Sequence, residues 1–185
     1  MSTSSRTTPP TSTGHSLSLP TKADLRDGLS IERVFSKEDV HPFDSCRWET
    51  RDASISNPQG EKIFEQTEVE FPVHFSQLAT NVVASKYFYG DNDRGNGSPA
   101  DGKREYSLKQ LVHRVTRTIA DWGAEQGYFA SDEDAETFYD ELTWLCVHQH
   151  GAFNSPVWFN VGLGQQYGVR DTGDKKIFGY DFEAD

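Results

Sequence analysis

The sequence predicts a mainly α fold with a small antiparallel β-hairpin, of the α+β class. Three stretches carry apolar residues at helical spacing, each behind a serine that can cap a helix. One turn signal, Asn57-Pro58-Gln59-Gly60, separates two runs rich in β-branched and aromatic residues. The chain has 185 residues, which is enough for one domain with a hydrophobic core.

Composition limits the partners. The net charge of -11 argues against nucleic acid or an anionic membrane as the main partner. No apolar run reaches the length of a transmembrane helix, and the N-terminus lacks the apolar region of a secretory signal. Cys46 and Cys146 form neither a disulfide framework nor a CxxC motif. A reducing cytoplasm is therefore the expected location.

The two ends of the chain differ from its middle. Residues 1–28 hold ten Ser or Thr in the first sixteen positions and several prolines, so we expect this tail to be disordered. Residues 29–164 carry the predicted domain, which starts with a segment of mixed character up to Cys46. Residues 165–185 are rich in Gly, Lys and Asp and predict an irregular C-terminal tail.

The hairpin is predicted from its turn. Pro pre-sets its own φ, and Gly tolerates a positive φ, so Asn57-Pro58-Gln59-Gly60 favours a tight connection. The flanking runs predict antiparallel strands over about 48–56 and 62–70. Phe71-Pro72 is expected to end the second strand.

Three or four helices are expected. Ser76 predicts the first N-cap, Ser107 with Gln110 forms a capping box, and Ser131 precedes three acidic residues that suit a helix N-terminus. Phe75, Leu78, Ala79, Val82 and Val83 share one face of the first helix and predict its buried side. The predicted helices span about 76–89, 107–124, 131–150 and 155–163.

Two stretches resemble metal sites only superficially. In Cys146-Val147-His148-Gln149-His150, the first and last residues share a helix face but His148 points away, so packing of a small buried cysteine is the better interpretation than zinc. Asp91 to Gly102 begins like a calcium loop but lacks the Gly and Glu that the loop needs, so a solvated loop is expected. The sequence predicts no metal ligands and no catalytic triad.

The stretch from Gly151 to Gly162 carries the main functional question. Asn154-Ser155-Pro156 fits a helix N-cap followed by proline, with Val157-Trp158-Phe159 packing in the next turn. The same geometry would present N–H groups and a hydroxyl to a phosphate or a sugar. Ser155 is therefore predicted to cap a helix, to contact a ligand, or to do both.

Several segments together resemble one family over about residues 30–164. They are Trp48–Ile55 with Ile63–Gln66, Phe75–Val82, Ala84–Phe88, Arg114-Val115, Trp122-Gly123, Gly127–Ser131 and Phe153–Asn160. They are similar to the N-terminal domain of adenosylcobalamin (vitamin B12)-dependent class II ribonucleotide reductases.

The resemblance implies a function. These enzymes reduce ribonucleotides to deoxyribonucleotides for DNA synthesis by a thiyl-radical mechanism inside an α/β barrel, against which the N-terminal region packs. It implies that Ser155 contacts the substrate near its ribose and phosphate. Adenosylcobalamin would be the cofactor of the complete enzyme, but the resemblance points to no residues of this chain that hold it.

The sequence also departs from the family. The family's Gln-x-Ser-Ala-Cys-Phe segment does not follow the Asn-Ser-Pro stretch, and neither Cys46 nor Cys146 matches a catalytic cysteine. No catalytic residue is therefore expected in this chain, which resembles a fragment or split-gene product truncated before the barrel. Its expected partners are a ribonucleotide and the remainder of a ribonucleoside-diphosphate reductase, in cis or in trans.

Two other functions stay open. The chain could be a non-catalytic interaction module that docks the aromatic Phe153–Phe159 face on a partner reductase barrel. It could also be a free-standing helical nucleotide binder, although one serine and one helix start make a small phosphate site.

Overall fold

The computed structural model describes residues 28–169. Within them a two-stranded antiparallel sheet is followed by five α-helices, which confirms the α+β class. The elements are β1 (Trp48–Ser56), β2 (Lys62–Pro72), α1 (Gln77–Lys86), α2 (Leu108–Glu125), α3 (Asp132–Val147), α4 (Ser155–Asn160) and α5 (Leu163–Tyr167). Residues 1–27 of the expected disordered tail, and residues 170–185 of the expected irregular tail, lie outside the described residues.

The hairpin forms where the turn chemistry predicts it. Ala53 pairs with Gln66, and Trp48 with Pro72. The side chain of Asn57 accepts hydrogen bonds from two backbone N–H groups of the turn, and Gly60 adopts a φ of +86°. The second strand runs two residues beyond the predicted end, because Pro72 stands at the last position of the strand, where a missing N–H is tolerated.

The three long helices begin at the predicted serines. Ser76 accepts a hydrogen bond from the N–H of Ala79 at 3.1 Å, and Ser131 accepts one from Asp134 at 3.1 Å. Ser107 and Gln110 form the predicted capping box at the start of α2. These caps satisfy N–H groups that a helix leaves unpaired in its first turn.

The predicted single helix over 155–163 is wrong in one respect, because the chain breaks into α4 and α5. Gly162 lies between them with a φ of +85°, a conformation that ends α4 and that a residue with a side chain rarely adopts. Helix α5 also crosses the predicted boundary at 164, so residues 165–167 are helical and not irregular.

Helix α2 lies at the centre of the core. The main cluster of buried apolar residues comes from the hairpin, from helices α1 to α4 and from the residues that flank α1: Ala53, Val69, Phe71, Phe75, Ala84, Phe88, Leu108, Leu111, Val112, Val115, Cys146, Val147 and Trp158. Between α2 and α3 the hydroxyls of Thr116 and Thr143 form a buried hydrogen bond of 2.9 Å. Among the described residues, no helix is long and apolar enough to cross a bilayer.

The predicted buried face of α1 is partly wrong. Leu78 is 73% exposed and Val82 is 40% exposed. Phe75, Ala79 and Val83 of the predicted face do pack on the core. Helix α1 also buries Thr80 and Ala84, and the Arg51 guanidinium on β1 donates to the hydroxyl of Thr80 at 3.1 Å. The hairpin thus selects a smaller and more polar side of α1 than apolar spacing indicates.

The mixed segment before the hairpin runs along α3. Arg33 forms an ion pair with Asp140 at 2.7 Å, and the ring of Phe35 stacks on that of Trp144 at 5.1 Å between centroids. Residues Pro42–Ser45 then form a short 3-10 helix. Polar and aromatic contacts with a neighbouring helix therefore order a segment that has no regular periodicity of its own.

Candidate functional site

Ser155 is the first residue of α4 and does not cap it, so the predicted capping role is wrong. Asn154 holds the N-cap position with an extended backbone, and its side chain makes no capping hydrogen bond. Pro156 follows within the first helical turn. The half-buried Ser155 hydroxyl instead lies 3.2 Å from the phenolic hydroxyl of Tyr87. The side chain predicted to contact a ligand therefore meets a second hydroxyl from another helix.

The aromatic residues around Ser155 divide between core and surface. Trp158 is buried, and the ring of Phe153 meets it edge-on at 5.3 Å. Phe159 is 44% exposed and packs against Tyr87 with 5.3 Å between ring centroids. The expected aromatic face of Phe153–Phe159 is therefore exposed only in part, because helical spacing turns Trp158 inward.

Arg114 on α2 holds the residues around Ser155 in place. Its side chain is fully buried, and its guanidinium donates to the carbonyl oxygens of Trp158 and Val161 at 2.8 Å each. A third donation reaches the carbonyl oxygen of Tyr87 at 3.2 Å. One side chain thus binds both α4 and the end of α1, because the planar guanidinium offers several N–H donors in a fixed geometry.

Glu105 balances this buried charge. Arg114 Nε donates to Glu105 Oε1 at 2.8 Å, and the backbone N–H of Tyr89 donates to Oε2 at 2.8 Å. The hydroxyl of Tyr167 on α5 donates to Oε1 at 2.8 Å. Burial raises the pKa of the Tyr167 phenol, and the adjacent Glu105 carboxylate raises it further, so this phenol keeps its proton.

The Glu105–Arg114 pair was not predicted as part of a site. Arg114 lies between Leu111 and Val115 on the apolar side of α2, and a charged residue at a core-facing helical position was the available signal. Glu105 carries no such signal, because it precedes the helix in a segment without periodicity.

A cavity of about 250 Å³ borders this region between α1, α2 and residues 149–158. Cys146 lies in its wall. Burial raises the pKa of the Cys146 thiol to about 12, and burial also raises the pKa of Cys46. Burial therefore disfavours the thiolate form of both cysteines, which is the form that acts as a nucleophile or metal ligand.

The histidines near the end of α3 engage in stacking. His148 stacks on Trp144 at 4.1 Å between centroids, and its Nε2 lies 2.7 Å from the hydroxyl of Ser45. Burial lowers the pKa of His148, and the neighbouring His74 lowers it further. Within residues 28–169, no three His, Cys, Asp or Glu side chains converge as metal binding requires.

The described residues do not form a recognisable site for a corrinoid cofactor. A wide cleft of about 640 Å³ is lined by β2 and residues 92–96, and this volume is in the range of pockets that hold drug-sized ligands. No observation among the described residues links this cleft to a corrinoid. We therefore assign no residue between 28 and 169 to a cofactor.

Comparisons with known proteins identify the family. A sequence model of the class II vitamin B12-dependent ribonucleotide reductases matches residues 49–149. The vitamin B12-dependent ribonucleotide reductase of Rhodopirellula baltica is 55% identical over 145 residues, which is 78% of this chain and 13% of that protein. The reductase of the same description from Streptomyces coelicolor is 48% identical over 75% of this chain and 14% of its own length.

A more distant relative gives the same result. The vitamin B12-dependent ribonucleotide reductase of Agrobacterium fabrum is 33% identical over 81% of this chain and 14% of its own length. The chain therefore spans about a seventh of the length of the curated relatives that it matches. This chain belongs to the family of class II vitamin B12-dependent ribonucleotide reductases.

Proposed function

We propose that this chain forms the N-terminal part of an adenosylcobalamin-dependent ribonucleoside-diphosphate reductase acting in the cytoplasm. The overall reaction converts a ribonucleotide and a protein dithiol into a deoxyribonucleotide, a disulfide and water. Cobalamin, when bound, supplies the radical that starts this chemistry. The family match over residues 49–149 is the observation that carries the proposal.

Within that enzyme, Ser155 contributes a substrate contact. Its hydroxyl is half-buried at the start of α4, and its neighbours Asn154 and Pro156 are exposed, so a ligand can reach the hydroxyl. A serine hydroxyl can donate a hydrogen bond to a phosphate or ribose oxygen. The contact is fixed in place because Arg114 binds two carbonyl groups of the same short segment.

The remainder of the reductase is the proposed partner, in cis. The relatives carry the matching segment within much longer chains. Leu78, Val82 and Phe159 are apolar and exposed, and such side chains are often covered by further protein. A non-catalytic module acting in trans would dock through the same exposed side chains. Because Trp158 is buried, the aromatic surface available for such docking is smaller than expected.

Two assays test this proposal. The 185-residue chain alone, given adenosylcobalamin, a ribonucleoside diphosphate and dithiothreitol, is expected to form no deoxyribonucleotide. The same chain, joined to the remaining sequence of the Rhodopirellula baltica relative, is expected to turn over. Turnover by the chain alone would contradict the assignment of catalysis to the rest of the reductase, and an inactive joined protein would contradict the assignment to this enzyme.

Substitution of Ser155 tests the contact itself. A hydrogen bond to a charged group is worth about 1.5–3 kcal/mol, so Ser155→Ala should lower kcat/KM of the joined reductase by about 10- to 150-fold. Ser54→Ala, which changes a half-buried serine of the hairpin, is the matched control and should leave kcat/KM nearly unchanged. Equal values for the two variants would exclude a substrate contact at Ser155.

A further inference from the structure

Tyr87 and Ser155 are the two hydroxyls that meet at the proposed substrate contact. Their oxygens lie 3.2 Å apart although the residues are 68 positions apart in sequence. Either hydroxyl can donate. When the phenol donates to Ser155 Oγ, the serine proton remains available for an acceptor outside the protein. This is the orientation that a phosphate or ribose oxygen requires.

The two residues are held relative to each other by the same buried cation. Arg114 donates to the backbone carbonyl of Tyr87 and to those of Trp158 and Val161. Glu105 then binds the N–H of Tyr89, two residues after Tyr87. The backbone of Tyr87 and the backbone of α4 are therefore tied to one ion pair that is fully buried.

A buried ion pair of this kind is a weak source of stability, because desolvation offsets most of the attraction between the charges. Its geometry is nevertheless specific, since the guanidinium plane fixes the direction of each hydrogen bond. The main contribution of the Glu105–Arg114 pair is therefore to hold the end of α1 and helix α4 at a set distance from each other.

The ring of Tyr87 has a separate packing role. It contacts Phe159, one helical turn beyond Ser155. Phenylalanine would fill that space equally well, so packing alone accounts for the ring but not for the hydroxyl. The hydroxyl has Ser155 as its hydrogen-bond partner among the described residues.

We propose that Tyr87 is a positioning residue for substrate binding: its hydroxyl orients the hydroxyl of Ser155, and the Glu105–Arg114 pair fixes the distance between them. This inference rests on the proposed substrate contact of Ser155. It assigns Tyr87 no contact with the reacting atoms.

The first test uses the full 185-residue chain without substrate. The side-chain rotamer of Ser155 is measured by NMR from couplings between its α and β protons. We expect one dominant rotamer in the wild-type chain and in the control Tyr106→Phe, which alters another half-buried tyrosine. Tyr87→Phe should give averaged couplings. An unchanged rotamer in Tyr87→Phe would overturn the proposal.

The second test is a double-substitution cycle in the joined reductase. Loss of one neutral hydrogen bond weakens substrate binding by about 2- to 13-fold. Tyr87→Phe should therefore raise KM by that factor, with kcat nearly unchanged. In a Ser155→Ala background, Tyr87→Phe should have no further effect. An equal effect in both backgrounds would show that Tyr87 acts through packing, against the proposal.

The cycle separates the two inferences. If Ser155→Ala alone leaves kcat/KM unchanged, the substrate contact itself is wrong, and this result does not depend on any change at Tyr87. If Ser155→Ala raises KM and Tyr87→Phe does not, the contact stands and the positioning role of Tyr87 is refuted.

Discussion

Replacing Arg114 by methionine should destabilise the fold far more than replacing another arginine on the same helix. Arg114 and Glu105 have no exposed side-chain surface. Arg114→Met leaves the Glu105 carboxylate buried without its cation and removes the donors to three backbone carbonyls. Breaking a buried ion pair by removing one partner costs about 3–5 kcal/mol.

Arg117→Met is the matched control. Arg117 lies three residues further along α2 and pairs with Asp121 and Glu136, whose side chains are 43% and 60% exposed. Exposed pairs contribute about 0–1 kcal/mol, because water and salt screen the charges. The two substitutions remove the same side chain from the same helix, so their difference measures the loss of the buried ion pair together with the Arg114 hydrogen bonds to backbone carbonyls.

Urea unfolding at neutral pH, followed by tryptophan fluorescence, measures both free energies of unfolding. In thermal unfolding, 1 kcal/mol of stability corresponds to about 2–4 °C for a chain of this length, so Arg114→Met should also lower Tm by about 6–20 °C. If that variant does not fold, the double variant Arg114→Met with Glu105→Leu should recover part of the stability, because no unpaired charge remains. A loss below about 1 kcal/mol, or one equal to that of Arg117→Met, would refute the reasoning.

Three further outcomes are expected. Gly162→Ala should lower the free energy of unfolding by more than the ~1 kcal/mol of a positive φ alone, because the new Cβ would lie 2.1 Å from a backbone carbonyl oxygen of α2. Gly168→Ala is the control in thermal unfolding, because Gly168 has a positive φ but open space around it. Burial, and then the charge of Arg117, lowers the pKa of His113 from 6.5, so the unfolded chain binds the proton more readily than the folded one. The free energy of unfolding therefore falls as pH drops from about 6.5 toward the folded pKa. His113→Gln should reduce the slope of unfolding free energy against pH, and an unchanged slope would contradict this prediction. Ser107→Ala should lower the free energy of unfolding by about 0.5–2 kcal/mol in urea titrations, because the α2 capping box is lost, and a neutral effect would count against the cap.

Local chemistry made much of the fold predictable. The serines before α1, α2 and α3 cap those helices because a side-chain oxygen satisfies an N–H group only a few residues away. The turn at Asn57–Gly60 likewise depends on neighbours in sequence. The exposure of Leu78 and Val82 was not predictable, because apolar spacing does not specify which neighbour an element packs against.

The candidate site shows the same division. The sequence identified the family, and its contiguous Asn-Ser-Pro motif singled out Ser155 as a candidate substrate contact, which stays a prediction. It could not predict that the Tyr87 hydroxyl meets Ser155, or that Arg114 hydrogen-bonds the backbone of both segments, because these contacts join residues 27 to 68 positions apart.

The sequence by itself thus determined the hairpin, the helix starts and the family, all of which depend on short segments. Only the tertiary structure decided that Ser155 is no helix cap, that Trp158 is buried while Phe159 stays exposed, and that a buried Glu105–Arg114 pair joins α1 to α4. The physical reason is that burial and hydrogen-bond partners are set by where separate elements meet, and that meeting depends on the packing of the whole domain.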